Sequence, residues 1–211
     1  KYLRGLQDRK KQVIATITDQ GKMTAELERQ ILSAATLVAV EDLYRPYKPK
    51  RRTRAAIAHE KGLEPLADLI LLQAVKEPVE QAAASYISGE KGVETAQDAV
   101  QGAMDILAER ISDNAVYRTW IRNMTMNKGL LQSAAKDESV KSVYETYYNY
   151  EEPVKKAAGH RILALNRGEG EKILSVKVVP LVDQIVGYLE KQVITRDNPY
   201  TCLLYTSPSP R

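Results

Sequence analysis

The stretch Ala96-Gln97-Asp98-Ala99-Val100-Gln101-Gly102-Ala103-Met104-Asp105-Ile106-Leu107-Ala108-Glu109-Arg110-Ile111 decides the fold class. Its apolar residues Ala96, Val100, Ala103, Met104, Leu107 and Ile111 recur at intervals of three and four, which is the period of a helix with one buried face. Upstream, Gly89-Glu90-Lys91-Gly92 reads as a linker or sharp turn. Downstream, Asp113 is placed to cap a further helix carrying Val116, Trp120 and Met124, closed by Gly129.

The same period runs through the first half of the chain. Leu3, Leu6, Val13, Ile14 and Ile17 define a helix from Tyr2 to Thr18 that Gly21 ends. Thr24 is the N-cap of a second, burying Leu27, Ile31, Ala35 and Val38 and running to about Leu43. Pro46 and Pro49 forbid a continuous helix from Tyr44 to Arg54. Shorter helices are expected at Arg54–Lys61, from Pro65 to near Gln73, and at Val79–Ile87. Beyond Gly129 the pattern predicts helices near Ser139–Tyr148 and Glu152–Ala158. Arg161–Leu165 and Lys172–Val178 then read as two strands of a hairpin turning at Gly168 and Gly170. A last helix carries Val182, Ile185, Val186, Leu189 and Val193. The expected fold is mainly α, an elongated multi-helix array with one small β-hairpin near residues 161–179. Its expected parts are a helical region at 1–90, a helical region with the hairpin at 91–201, and a tail at 202–211.

With 44% hydrophobic and 27% charged residues, the 211-residue chain has the composition of a folded protein. No apolar run approaches the roughly 18 residues that span a bilayer, and Leu69-Ile70-Leu71-Leu72 is the longest candidate. Neither a signal peptide nor an initiator Met stands at the start, so a fragment or processed chain is expected. The lone Cys202 excludes an intrachain disulfide and a Cys-based zinc site, which fits the cytoplasm. The residues around it, Cys202 to Arg211, resemble a reading frame of a sequencing-library adapter, so native sequence is expected to stop near Thr201.

Catalytic chemistry finds little support. His59-Glu60 lacks the second His of a zinc-protease motif, and no G-x-S-x-G elbow accompanies either His59 or His160. Gly168-Glu169-Gly170 lacks the third glycine of a dinucleotide fingerprint and the Lys-Ser/Thr of a P-loop. Carboxylates at Glu41-Asp42 and Glu151-Glu152 are sequence neighbours that point apart on a helix. The expectation is a non-enzymatic protein with no cofactor and no metal.

The informative segment is Tyr44-Arg45-Pro46-Tyr47-Lys48-Pro49-Lys50-Arg51-Arg52-Thr53-Arg54. Six of the ten residues from Arg45 to Arg54 are basic and none is acidic. Guanidinium and ammonium groups pair with phosphates, and Tyr44 or Tyr47 can stack on unpaired bases. The two prolines are expected to hold the strip extended. The competing reading is a loop whose arginines pair with acidic neighbours such as Glu41 and Asp42. The net charge of +4 permits a polyanionic partner without requiring one. The chain has twelve Tyr and no Phe, so Tyr144, Tyr147, Tyr148 and Tyr150 are read as core or interface aromatics, and Trp120 as core.

The blocks Glu41–Ala55, His59–Ala67, Gln101–Glu109 and His160–Glu169 resemble, in order, the signature of the Tex family, bacterial RNA-binding transcription accessory proteins. The resemblance extends over essentially Lys1 to Thr201. It implies the helical N-terminal part of a longer protein whose other parts include an RNase-H-like domain, helix-hairpin-helix elements and an OB-type RNA-binding domain. The implied function is RNA-binding transcription accessory work, with RNA or DNA met through the phosphate backbone and the transcription machinery as a further partner. No membrane contact and a monomer are expected. Candidate contacts are Tyr44, Arg45, Tyr47, Lys48, Lys50, Arg51, Arg52 and Arg54, with Arg161 and Arg167 secondary. If all six cations of the strip met single-stranded RNA, log K against log salt would slope at about −4. The alternative is a protein-interaction or architectural module that positions downstream domains, its strip an intramolecular clamp.

Overall fold

The computed structural model describes residues 2–48, 52–74, 77–196 and 199–206. It is mainly α, as the periodicity implies, and divides into two compact units. One combines the chain up to Arg118 with the chain from Tyr188 onward; the other is Thr119–Gly187.

In the first unit, α1 (Tyr2–Asp19) packs with α2 (Ala25–Ser33) and α3 (Leu37–Tyr44). Leu6, Val13 and Ile17 meet Leu27, Ile31, Val40 and Tyr44 in a closed core. Thr24 caps α2 as expected, its hydroxyl accepting the Leu27 N–H at 3.2 Å. The single helix expected from Thr24 to Leu43 is two. Thr36 offers its hydroxyl to the Ala39 N–H at 3.2 Å and starts α3 afresh. The exposed end of α2 is satisfied by Lys10, a buried residue whose Nζ donates to the Leu32 carbonyl at 2.6 Å.

A second core of this unit surrounds α7 (Ala96–Asp113), against which α4 (Arg54–Glu60), α5 (Glu64–Leu72) and α6 (Val79–Ala84) pack. Thr95 and Asp98 cap α7 reciprocally, each side chain taking the other's backbone N–H. Ala99, Val100, Ala103, Met104, Ile106 and Leu107 are buried, and Leu63, Leu66 and Ile70 meet them. Gly62, at φ +80°, ends α4 in the left-handed conformation that glycine tolerates best. Gln73 ends α5 at φ +49° and is held there by its amide. Its Nε2 donates to the Val193 carbonyl at 2.7 Å, and its Oε1 accepts from the Thr195 and Arg196 N–H groups at 3.0 and 3.2 Å. Tyr200 is fully buried in the same core, next to α11 (Thr201–Thr206).

α8 (Ala115–Lys128) is capped by Asn114, whose Oδ1 accepts from the Val116 and Tyr117 N–H groups, and not by Asp113. In the second unit, β1 (Leu130–Ala135), β2 (Asn149–Pro153) and β3 (Leu174–Val179) form an antiparallel sheet in the order β2-β1-β3. Leu131 stands opposite Glu152 on one side and Val178 on the other. This corrects the hairpin at 161–179. Arg161–Leu165 lies inside a helix, α9 (Gly159–Gly170), and β3 pairs with β1 instead. Five residues of mixed apolar pattern fit either period, and here Leu165 and Gly168 share a buried helical face. Gly168 is a packing residue and not a turn residue, since a Cβ there would stand 2.6 Å from Leu174 Cδ1. The reversal falls after it, with Lys172 at φ +63°.

Two more expected helices give way to single 3-10 turns, at Glu145–Tyr147 and Val154–Lys156. The tyrosines of the first pack the core beneath the sheet. Tyr144 donates to Glu171 Oε1 at 2.9 Å, and the Tyr147 and Tyr150 rings meet edge-on at 5.3 Å. α10 (Val182–Val193) follows β3. Among the described residues no helix is long and apolar enough to cross a membrane.

Gly102, on the α7 face that meets α4, generates a prediction. A Cβ there would lie 2.4 Å from Leu63 Cδ1 and 3.3 Å from Ala58 Cβ, and both neighbours are buried. Gly102→Ala should therefore destabilise by about 1–2 kcal/mol despite Ala's better helix propensity, read as a lowered denaturant midpoint.

Candidate nucleic-acid interface

The basic strip begins inside the fold. α3 ends at Tyr44, and Arg45–Tyr47 forms a single 3-10 turn with Pro46 in it. The strip is thus not extended at Pro46; proline's fixed φ suits a helical turn as well as an extended chain. Lys48 is extended, at φ −68° and ψ +129°. Pro49, Lys50 and Arg51 lie outside the described residues. The strip resumes at Arg52 and enters α4 through Thr53, whose hydroxyl accepts the Ala56 N–H at 3.0 Å.

The side chains divide by role. Tyr44 is buried, 8% exposed, and its ring lies under the Arg9 guanidinium at 5.3 Å. Tyr47 is half-buried against the same core, and its carbonyl accepts from Gln20 Nε2 at 2.9 Å. Arg45 Nε donates to Asp113 Oδ1 at 2.7 Å, and the Asp113 side chain is only 7% exposed. Thr53 donates to Glu109 Oε1 at 3.2 Å. Arg54 Nη2 stands 3.6 Å from Asp105 Oδ1, and Arg52 Nη2 3.4 Å from Glu60 Oε2. Lys48, Arg52 and Arg54 are exposed.

Asp105, Glu109 and Asp113 follow one another at intervals of four, so they line one side of α7. They receive Arg54, Thr53 and Arg45 in that order. This carboxylate ladder is the feature that the reading of the strip alone misses. Its signal was present in the sequence as three acids at helical spacing, but on a helix sixty residues away. The neighbours named as partners each meet an arginine from outside the strip: Glu41 meets Arg9 at 2.6 Å and Asp42 meets Arg118 at 2.8 Å. A groove of about 510 Å³ beside the turn, lined by Pro46 and Tyr47, also holds Asp42, Glu64, Glu109 and Asp113.

The secondary candidates belong to the other unit. Arg161 grips Glu152 with two bonds, Nε to Oε1 at 3.1 Å and Nη2 to Oε2 at 2.7 Å, and also donates to the Lys156 carbonyl. Arg167 is exposed in the last turn of α9, where a cation suits the helix dipole. Among the described residues, no group of three or more His, Cys, Asp or Glu side chains converges as a metal site would require.

A long central helix with shorter helices packed on it, carrying a cationic segment held by carboxylates, makes this a helical module with an exposed basic edge. The chain matches the family described as Tex central region-like over residues 74–196 and belongs to the Tex family. It is 50% identical over 196 residues to YdcI of Bacillus subtilis, covering 92% of this chain and 27% of that one. It is 38% identical over 177 residues to the transcriptional accessory protein Tex of Neisseria gonorrhoeae, covering 83% and 23%. It is 33% identical over 186 residues to the S1 RNA-binding domain-containing protein 1 of Pongo abelii, covering 83% and 18%. The chain thus spans about a quarter or less of the length of these relatives.

Two predictions follow from the ion pairs. Arg45→Ala removes a partner from a buried carboxylate and should cost about 1–3 kcal/mol, read by thermal unfolding. Hydrogen bonding from Arg161 holds the Glu152 carboxyl below its ordinary range. A depressed folded-state pKa gives stability that is present above the unfolded value and lost as pH falls through the folded one. Arg161→Ala should therefore flatten the fall in urea midpoint of this unit between about pH 7 and about pH 3.

Proposed function

We propose that the chain is a scaffold segment of a transcription accessory protein that meets RNA phosphates along the outward side of its basic strip. Lys48, Arg52 and Arg54 are the contacts. The observation that carries the reading is their exposure on a segment fastened at both ends. The Arg52 and Arg54 side chains are 73% and 75% exposed. Arg45, tied to Asp113, and Thr53, which caps α4, hold the backbone next to Arg52 and Arg54 and at the turn before Lys48, which limits what phosphate binding would have to order at those residues. Names among the relatives agree in kind, one a transcriptional accessory protein and another an S1 RNA-binding domain-containing protein. Arg45 and Tyr44 belong to the scaffold in this reading, and Arg161 holds the second unit together.

The second reading is purely architectural: the strip is a clamp and contact with nucleic acid falls to other parts of the whole protein. Its support is the Arg45–Asp113 pair, which puts one of the strip's cations to structural use. Fluorescence anisotropy with labelled single-stranded RNA, and with duplex DNA as comparison, separates the two. Three phosphate contacts give log K against log salt a slope of about −2. The slope and the binding should both be lost in the Lys48→Ala, Arg52→Ala, Arg54→Ala triple variant. Absence of low-salt binding by the folded chain would leave the architectural reading.

A further inference from the structure

The carboxylate ladder reaches one of the cations assigned to phosphate, Arg54, and its rungs are unequal. At the inner end, the Arg45–Asp113 pair is short, and its carboxylate is almost wholly covered. Breaking it would remove a charged partner from a buried carboxylate. At the outer end, Arg54 stands 3.6 Å from Asp105, with the guanidinium three-quarters exposed. The Asp105 side chain is itself only 11% exposed, but at that separation and with the cation in water the pair is weak, because water screens the guanidinium and the long side chain loses freedom to hold it. Carboxylate and phosphate oxygens seek the same guanidinium N–H donors. The outer rung can therefore be exchanged for a phosphate, while the inner rung keeps the strip in place.

We propose that the α7 ladder is a built-in competitor for the strip: Asp105 holds Arg54 in the free protein and is displaced by a phosphate of the bound nucleic acid. This rests on the phosphate-contact reading above. The arrangement sets a threshold. A ligand must offer Arg54 a stronger acceptor than Asp105, and a phosphodiester chain with successive charges does so better than a scattered acidic surface. The occupied site would leave Asp105 without the Arg54 guanidinium, while Asp113 stays paired with Arg45.

The test is a double-mutant cycle on the full 211-residue chain, using anisotropy with a labelled oligouridylate at fixed low salt. The variants are Asp105→Asn, Arg54→Ala and the two combined, each checked for folding by circular dichroism. Asp105→Asn keeps the side-chain shape and should tighten binding about twofold to fivefold, the equivalent of one exposed ion pair. In the Arg54→Ala background the same change should do nothing, because the competition runs through that guanidinium. Equal tightening in both backgrounds would reduce Asp105 to general repulsion and overturn the proposal. So would no tightening at all while the wild-type chain binds; the phosphate reading would survive either result. If neither the wild-type chain nor Asp105→Asn binds, the phosphate reading fails and takes this one with it. Absence of binding by the wild-type chain is the failure of the phosphate reading, and of this one with it, even where Asp105→Asn binds.

Discussion

The approach of α4 to α7 at Gly102 is the constraint on which the candidate site depends. A helix can come this near another only where the facing residues are small, and Ala55, Ala58, Ala99, Gly102 and Ala103 supply that face. Leu63, just beyond α4, closes over the same glycine. The packing fixes more than the core. With Ala58 against Gly102, the first turn of α4 falls beside the next turn of α7, which carries Asp105. Thr53 and Arg54 then reach carboxylates that they could not otherwise meet. A contact between apolar surfaces thereby determines where the charges lie.

The same helix shows why one face of the argument was legible in the sequence and the other was not. The apolar residues of α7 announce themselves by period, and the capping residue Thr24 follows from local chemistry within a turn of its N-terminus. Those signals are contained in a short window. The partners of the strip are not. Arg45 and Asp113 are 68 positions apart, and nothing near either residue selects the other. Proximity in sequence favours Glu41 and Asp42, but on α3 each of these meets an arginine from a different helix. The charge class of the partners could be read from sequence; their identities required the packing of α4 on α7.

The second unit shows a different limit. The stretch Arg161–Leu165 is too short for its apolar pattern to separate a strand from a helix, and the glycines after it suggest a turn. What decides against the hairpin is packing from elsewhere: β3 pairs with β1, and the stretch before it lies against that sheet as a helix. α9 is then free to lay Leu165 and Gly168 against Leu174 and Tyr144. Tyrosine does here what phenylalanine does in most cores, and its hydroxyls must find acceptors. Tyr144 reaches Glu171, while Tyr148 reaches Ser142 and the Val140 carbonyl. These bonds fix loops that the sequence pattern misread as helix.

A strip rich in arginine can serve folding or binding, and composition does not separate the two. Burial of the partner does. Where the carboxylate is covered, as at Asp113, the cation is needed to keep that charge inside, and its removal is felt as instability. Where both partners are bathed in water, as with Arg52 and Glu60, the pair contributes little and the cation keeps most of its capacity for another anion. Arg54 lies between these cases, with an exposed guanidinium over a largely covered Asp105. The strip is therefore graded along its length, from structural at the turn after α3 to available at the start of α4. Because the inner end stays fixed, the outer cations can change partners without loosening the helices that carry them.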